Sequence, residues 1–264
     1  MINFIKSIFV GIFNIIPGLS GSALLIALNL YEESLESISN FFINPKKSTI
    51  FLTPIALGII TGTYLFSNII FLLLKNYEME TSIIFSFLVL GTIPHLIKDS
   101  IKDGFKTKYL IPFIFTFVLG TSLVFINKQN ISYQIDYNLI SISKYLLIGI
   151  ILSFSTIIPG ISSTIMLSLN NLYGIYIYSI KSMNLYVLIP TLIGFIITTF
   201  FISKIITKLL KKYYGYTYFA ILGFILSTIP CLLKTKIVLN INFTISILIG
   251  IILFFITNYI FKHI

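Results

Sequence analysis

The chain has 264 residues, 57% hydrophobic and 10% charged, with a mean hydropathy of +1.02. Soluble domains carry roughly 25% charged residues, so the composition excludes a soluble globular protein and predicts an all-α polytopic membrane protein with no separate soluble domain. The net charge is +10 and all 18 basic residues are lysine. They lie in short segments between apolar runs, which points to positive-inside bias and anionic lipid headgroups and not to nucleic acid.

In chain order, the opening MINFIKSIFVGIF has the composition of a signal peptide, but no small-residue cleavage site follows and retention is expected. Apolar residues 4–16 and 19–30 flank Pro17-Gly18. Single apolar runs follow at 49–74, 81–97 and 109–126. Residues 145–158 and 161–173 then flank Pro159-Gly160, and runs at 185–207, 216–233 and 243–261 complete the chain. The polar connections at about 31–48 and 127–143 are predicted to be loops between helices.

These elements repeat. IIPGLSGSALLIALNLY, from Ile15, returns as IIPGISSTIMLSLNNLY 142 positions later, from Ile157. TPIALGIITG, from Thr53, matches IPTLIGFIIT, from Ile189, and LGTIPHLIK, from Leu90, matches LSTIPCLLK, from Leu226, both at an offset of 136. Three blocks in one order indicate a duplication. The first repeat covers 1–130, with a hairpin at 4–30 and helices at 49–74, 81–97 and 109–126. The second covers 143–264, with a hairpin at 145–173 and helices at 185–207, 216–233 and 243–261. Gly58, Gly62 and Gly194 are placed for close helix packing, and Pro54, Pro94, Pro190 and Pro230 are expected to kink or end their helices.

A spanning helix needs about 20 apolar residues, whereas the runs beside each Pro-Gly have only 12 to 14. Each pair therefore reads as a re-entrant helical hairpin; the alternative is one kinked helix over residues 4–30. A hairpin leaves three crossings per repeat, an odd number, so the two repeats are expected to have inverted topology. Twelve lysines (Lys6, Lys46, Lys47, Lys98, Lys102, Lys106, Lys108, Lys204, Lys208, Lys211, Lys212 and Lys262) then fall on one side and six on the other. The richer side is expected to be cytoplasmic, with both termini there.

The breaks are where chemistry is expected. Asn14, Pro17, Gly18, Ser20, Gly21 and Ser22 place small polar residues at the first tip, and Thr156, Pro159, Gly160, Ser162, Ser163 and Thr164 do so at the second. Proline and glycine end one half-helix, and Ser20 or Ser162 is placed to cap the next. The free N–H groups and positive dipole end would form an anion site. The alternative is a plain kink with the hydroxyls bonded to backbone carbonyls. Asn29 and Asn171 are expected to bond across to neighbouring helices. Glu32 and Glu33, which Gly174 and Ile175 replace in the second repeat, are expected to be solvated or lysine-paired. Lys144 and Lys181 flank the second hairpin on the predicted outer side and are candidates for steering an anionic headgroup.

One cysteine, Cys231, excludes intramolecular disulfides, and His95 and His263 have no metal-ligand spacing, so neither metal nor cofactor is expected. No GxxxxGK[ST] loop encodes an ATP-driven motor, and no acid pair or nucleophile–base set points to an enzyme.

NIIPGLSGSALLIALNLYE, with TIIPGISST and the two TIPxLxK blocks, resembles the polyprenyl (undecaprenyl) phosphate translocase family, formerly a membrane domain of unknown function. The usual motif of that family is close to N-I-I-P-G-x-S-G-G-T; Ser22 and Ala23 stand here in place of its Gly-Thr. The resemblance spans nearly the whole chain. It implies a flippase in the cell membrane that returns a polyprenyl phosphate carrier from the outer to the cytoplasmic leaflet, with membrane lipids and a coupling ion, proton or sodium, as further partners. The competing expectation is an ion-coupled transporter or channel for a small soluble anion.

Overall fold

The computed structural model describes residues 1–15, 20–102, 104–126, 135–233 and 239–262. Among them it is all-helical. The first repeat holds α1 (Ile2–Ile15), α2 (Gly21–Ala27), α3 (Tyr31–Ser39), α4 (Pro45–Asn76), α5 (Glu78–Ser100) and α6 (Leu110–Ile126). The second holds α7 (Leu139–Ile157), α8 (Ser163–Leu169), α9 (Tyr173–Lys181), α10 (Leu185–Lys212), α11 (Tyr214–Leu232) and α12 (Ile241–Lys262). Among the described residues, five stretches are long and apolar enough to cross a membrane: Pro45–Asn76, Glu78–Ser100, Ile140–Ile157, Leu185–Lys212 and Ile241–Ile260. The protein is a multi-pass membrane protein.

Two expectations need correction. The connection at 31–48 is not a loop, because α3 occupies 31–39 and α4 begins at Pro45. YEESLESIS buries Tyr31, Ser34, Leu35 and Ser39 at helical spacing and places Glu32 and Glu33 in the first turn, where the dipole favours acids. Asn29 and Asn171 are exposed, and their task is local. Both adopt left-handed backbone, φ 57° and 56°, just past α2 and α8. Leu30 N–H donates to the Leu25 carbonyl and Asn29 N–H to that of Ile26, and Leu172 and Asn171 do the same to Leu167 and Ser168. This paired pattern ends each short helix, and asparagine tolerates the left-handed conformation it requires. Of the two outcomes expected for Pro54, Pro94, Pro190 and Pro230, ending the helix is not the one found: all four lie inside helices.

Glycines set the packing. A Cβ on Gly58 would collide with the Phe4 carbonyl, and one on Gly62 with that of Ile8. Positions rise together on both chains, so α1 and α4 run side by side in the same direction. Gly194 against Leu146 and Gly149 against Thr191 place α7 and α10 the same way. The path from Ile15 to Pro45 therefore returns past the level where α1 began. The last helix of each repeat is exchanged: α6 runs along α11, with Gly223 against Phe113 and Gly120 against Ser227, and α12 runs along α5, with Gly91 against Thr257 and Gly250 against Phe87. Between these pairs lies the main core, where Phe85, Val89 and Leu96 of α5 meet Tyr218, Ile221, Leu222 and Ile225 of α11. Ile26, Tyr31 and Leu35 complete it from α2 and α3.

Candidate functional site

At the first break, Pro17 and Gly18 lie outside the described residues. Ser20 occupies the N-cap position of α2 with extended backbone (φ −125°, ψ 124°), yet its hydroxyl caps nothing. It pairs instead with the Ser22 hydroxyl at 2.6 Å. The cap comes from Asn14, near the end of α1, whose Oδ1 accepts from Gly21 N–H at 2.9 Å. A Cβ on Gly21 would meet that same side-chain amide and push it out of the capping position. One orphan N–H of α2 is thus satisfied across the break, while the serine hydroxyls bind each other.

The second break is built differently. Ile158 is extended, Pro159 is fully buried and Gly160 has φ +85°. A Cβ on Gly160 would meet the backbone of Phe224 and Ile225, so this tip is pressed onto α11 and no other residue fits. Ser162 again holds the N-cap position without a capping bond. The expected capping by Ser20 and Ser162 is therefore absent; at the first break the Ser22 hydroxyl and the Asn14 amide take up the bonding instead. Thr156, the counterpart of Asn14, donates back to the Leu152 carbonyl of its own helix at 2.7 Å. Ser163 and Thr164 open α8 and are half-buried.

Each tip faces a small cavity. Ser20, Ala23 and Leu24 line one with Val89, Thr92, Ile225 and Thr228. Gly160, Ser162 and Met166 line the other with Gly120, Ser227 and Thr228. Thr228 belongs to both. Each cavity has room for about one water molecule. Thr92 and Thr228 are the threonines of the two TIP blocks and donate to the carbonyls of Val89 and Ile225, both at 2.7 Å. All the residues lining the two cavities are uncharged.

Charged groups gather at the ends of the helices. Lys6 donates to the Leu28 carbonyl at the end of α2, where a cation complements the helix dipole. Tyr31, buried, donates to the carbonyl of Ile157 at 2.7 Å, immediately before the second break. Glu32 is bonded by tyrosines and not by lysine: Tyr218 at 2.5 Å and Tyr214 at 3.3 Å. Glu36 pairs with Lys211, and Asp99 pairs with His95 and Lys102. Lys144 pairs with Asp136 at 3.4 Å on the exposed surface. The Lys181 side chain lies outside the described residues.

A family model described as undecaprenyl phosphate translocase-like matches residues 2–99 and 45–246. The chain belongs to that family. Two curated relatives are both named polyprenyl-phosphate transporter. The one from Staphylococcus aureus is 27% identical, over 86% of this chain and 84% of its own length. The one from Vibrio cholerae is 24% identical, over 86% of this chain and 75% of its own length. No solved structure matches the chain.

In this member of the undecaprenyl phosphate translocase-like family, Ser20 and Ser162 from the two tips lie with Thr92, Ser227 and Thr228 from α5 and α11 around these cavities, so hydroxyls of both repeats come together in largely apolar surroundings. Sequence reasoning found the two tips but missed Thr92, Ser227 and Thr228, which face them from α5 and α11. The signal was available, because these hydroxyls sit two or three residues before the repeated prolines, inside a block already recognised as duplicated.

Proposed function

We propose that this protein carries a polyprenyl phosphate across the membrane, from the outer to the cytoplasmic leaflet, with the phosphate passing between the two tips and the prenyl tail remaining in lipid. The observation that carries this reading is the convergence of both tips on Thr228. In the present arrangement the cavities are too small for a phosphate, so the headgroup passes only when the repeats part.

The repeats are read as inverted and the breaks as re-entrant hairpins. The parallel α1–α4 and α7–α10 pairs support the hairpins, since after each break the chain comes back to start a helix running beside the one before the break; α7 itself, at 19 residues, is longer than the apolar run expected there. Supporting the inversion, Asp99 and Lys102 at the end of α5 lie beside Tyr214 at the start of its counterpart α11. The lysine-rich side is read as cytoplasmic, with both termini there. Rocking of one repeat against the other then exposes the tips to each leaflet in turn.

The test is uptake of a polyprenyl phosphate by proteoliposomes, with headgroup accessibility read on each leaflet under a proton or a sodium gradient. Hydrogen bonds to a charged group are worth about 1.5–3 kcal/mol. Ser20→Ala with Ser162→Ala is therefore expected to slow uptake by about ten-fold or more for each bond that matters in the rate-limiting step. Wild-type uptake by the double variant places the headgroup elsewhere. Transport of inorganic phosphate in place of the lipid identifies a soluble-anion transporter.

A further inference from the structure

The two repeats share a sequence pattern but are not packed alike. α3 lies across the boundary between them, on α10. Tyr31 reaches Ile157, Glu36 reaches Lys211, and the rings of Phe41 and Phe42 sit 6.1 and 5.0 Å from that of Phe200. α9 matches α3 residue for residue at the 142-position offset, yet it packs on α8 and α10 of its own repeat, with no comparable packing on α4. The consequence is visible in single residues. Leu35 is 2% exposed, and its counterpart Ile177 is 42% exposed. Phe200 receives two rings, and its counterpart Tyr64 on α4 is 79% exposed.

We infer that the protein has a second closed arrangement, in which α9 packs across the boundary on α4 while α3 leaves α10. This rests on the inverted-repeat reading above and assigns the two gates between which the headgroup moves. Exchanging each residue for its repeat counterpart specifies the new contacts. Tyr178 takes the place of Glu36 and Lys75 that of Lys211, so an aromatic face over an ammonium replaces an ion pair. Met183 takes the place of Phe41 and Tyr64 that of Phe200, a sulfur–aromatic contact. Tyr173 takes the place of Tyr31, with the Ile15 carbonyl standing for that of Ile157. The apolar face of α9 and the bare face of α4 are thus the two halves of one interface. α3 seals the side that holds Lys211, and α9 seals the side that holds Lys75.

The experiment uses the full chain with Cys231→Ala and a short, cleavable bifunctional thiol reagent. Glu36→Cys with Lys211→Cys reports the observed arrangement, and Tyr178→Cys with Lys75→Cys reports the inferred one. Both pairs are expected to cross-link. Each cross-link is expected to abolish uptake of a short-chain polyprenyl phosphate, and cleavage of the linker to restore it. With all four cysteines present, one link is expected to exclude the other. Met183→Cys with Tyr64→Cys repeats the test without altering Tyr178. Failure of both α9–α4 pairs to link, in protein whose 36–211 pair links, overturns the inference. A 75–178 link that leaves uptake unchanged overturns it too. Linking of both gates in a protein that moves no polyprenyl phosphate, linked or unlinked, supports the two arrangements and removes the lipid-transport reading instead.

Discussion

Asn14 and Thr156 occupy equivalent positions before the two breaks but do different things. Asn14 spans the break to cap α2, whereas Thr156 bonds its own helix. Losing an N-cap partner costs about 1 kcal/mol. Asn14→Ala is therefore expected to lower the thermal unfolding midpoint of the purified protein, and Thr156→Val to leave it nearly unchanged. Equal shifts would mean that the Asn14–Gly21 bond carries no stability. Asn29 and Asn171 offer a second comparison, because their left-handed backbone, φ 57° and 56°, defines the need. Glycine adopts this conformation freely, while an L side chain pays about 1–2 kcal/mol for it. Asn29→Gly is expected to be neutral and Asn29→Val destabilising in the same measurement. A side chain bonded to another helix would give the opposite order for glycine, with a clear loss.

Among the elements, the helix pairs depend on backbone contact at glycines. Gly62 on α4 meets the Ile8 carbonyl of α1, so Gly62→Leu forces the helices apart. Overpacking of this kind costs about 1–3 kcal/mol. Gly104, which has open space around its Cα, is the control; its φ of +86° makes Gly104→Asn the mildest replacement there. Loss of folded protein in Gly62→Leu, with Gly104→Asn retained, is the expected result on size-exclusion chromatography. This packing was legible in sequence because small residues at helical spacing leave a direct mark. The Pro-Gly breaks were legible for the same reason: they are constraints on the backbone itself. α3 was not legible as a packed helix. Its polar composition reads as a loop until Tyr31 and Glu32 are seen to meet partners 126 and 186 positions away. The hydroxyl bonding at the tips was hidden likewise, since Asn14 competes with Ser20 for the same short helix and sequence order does not decide between them.

At the scale of the whole molecule, the arrangement turns on two single-residue joints. Tyr77 alone separates α4 from α5, and Tyr213 alone separates α10 from α11. They are repeat counterparts at the 136-position offset, and both are exposed, 53% and 47%. If the repeats are parallel in topology, both tyrosines emerge on the same side of the membrane. If the repeats are inverted, they emerge on opposite sides. The lysine distribution adds a direction: Lys208, Lys211 and Lys212 adjoin Tyr213, whereas Lys75 is the nearest lysine to Tyr77, with Glu78 and Glu80 following it. Positive-inside bias therefore predicts Tyr213 in the cytoplasm and Tyr77 outside. In a Cys231→Ala background, an impermeant thiol reagent added to intact cells is expected to label Tyr77→Cys and to spare Tyr213→Cys until the membrane is opened. Labelling of both from outside, or of neither, removes the inversion, and with it the two-gate scheme that needs α3 and α9 at opposite faces. Labelling of Tyr213→Cys alone keeps the inversion but reverses the protein in the membrane, so that the α3 gate would close the outer face.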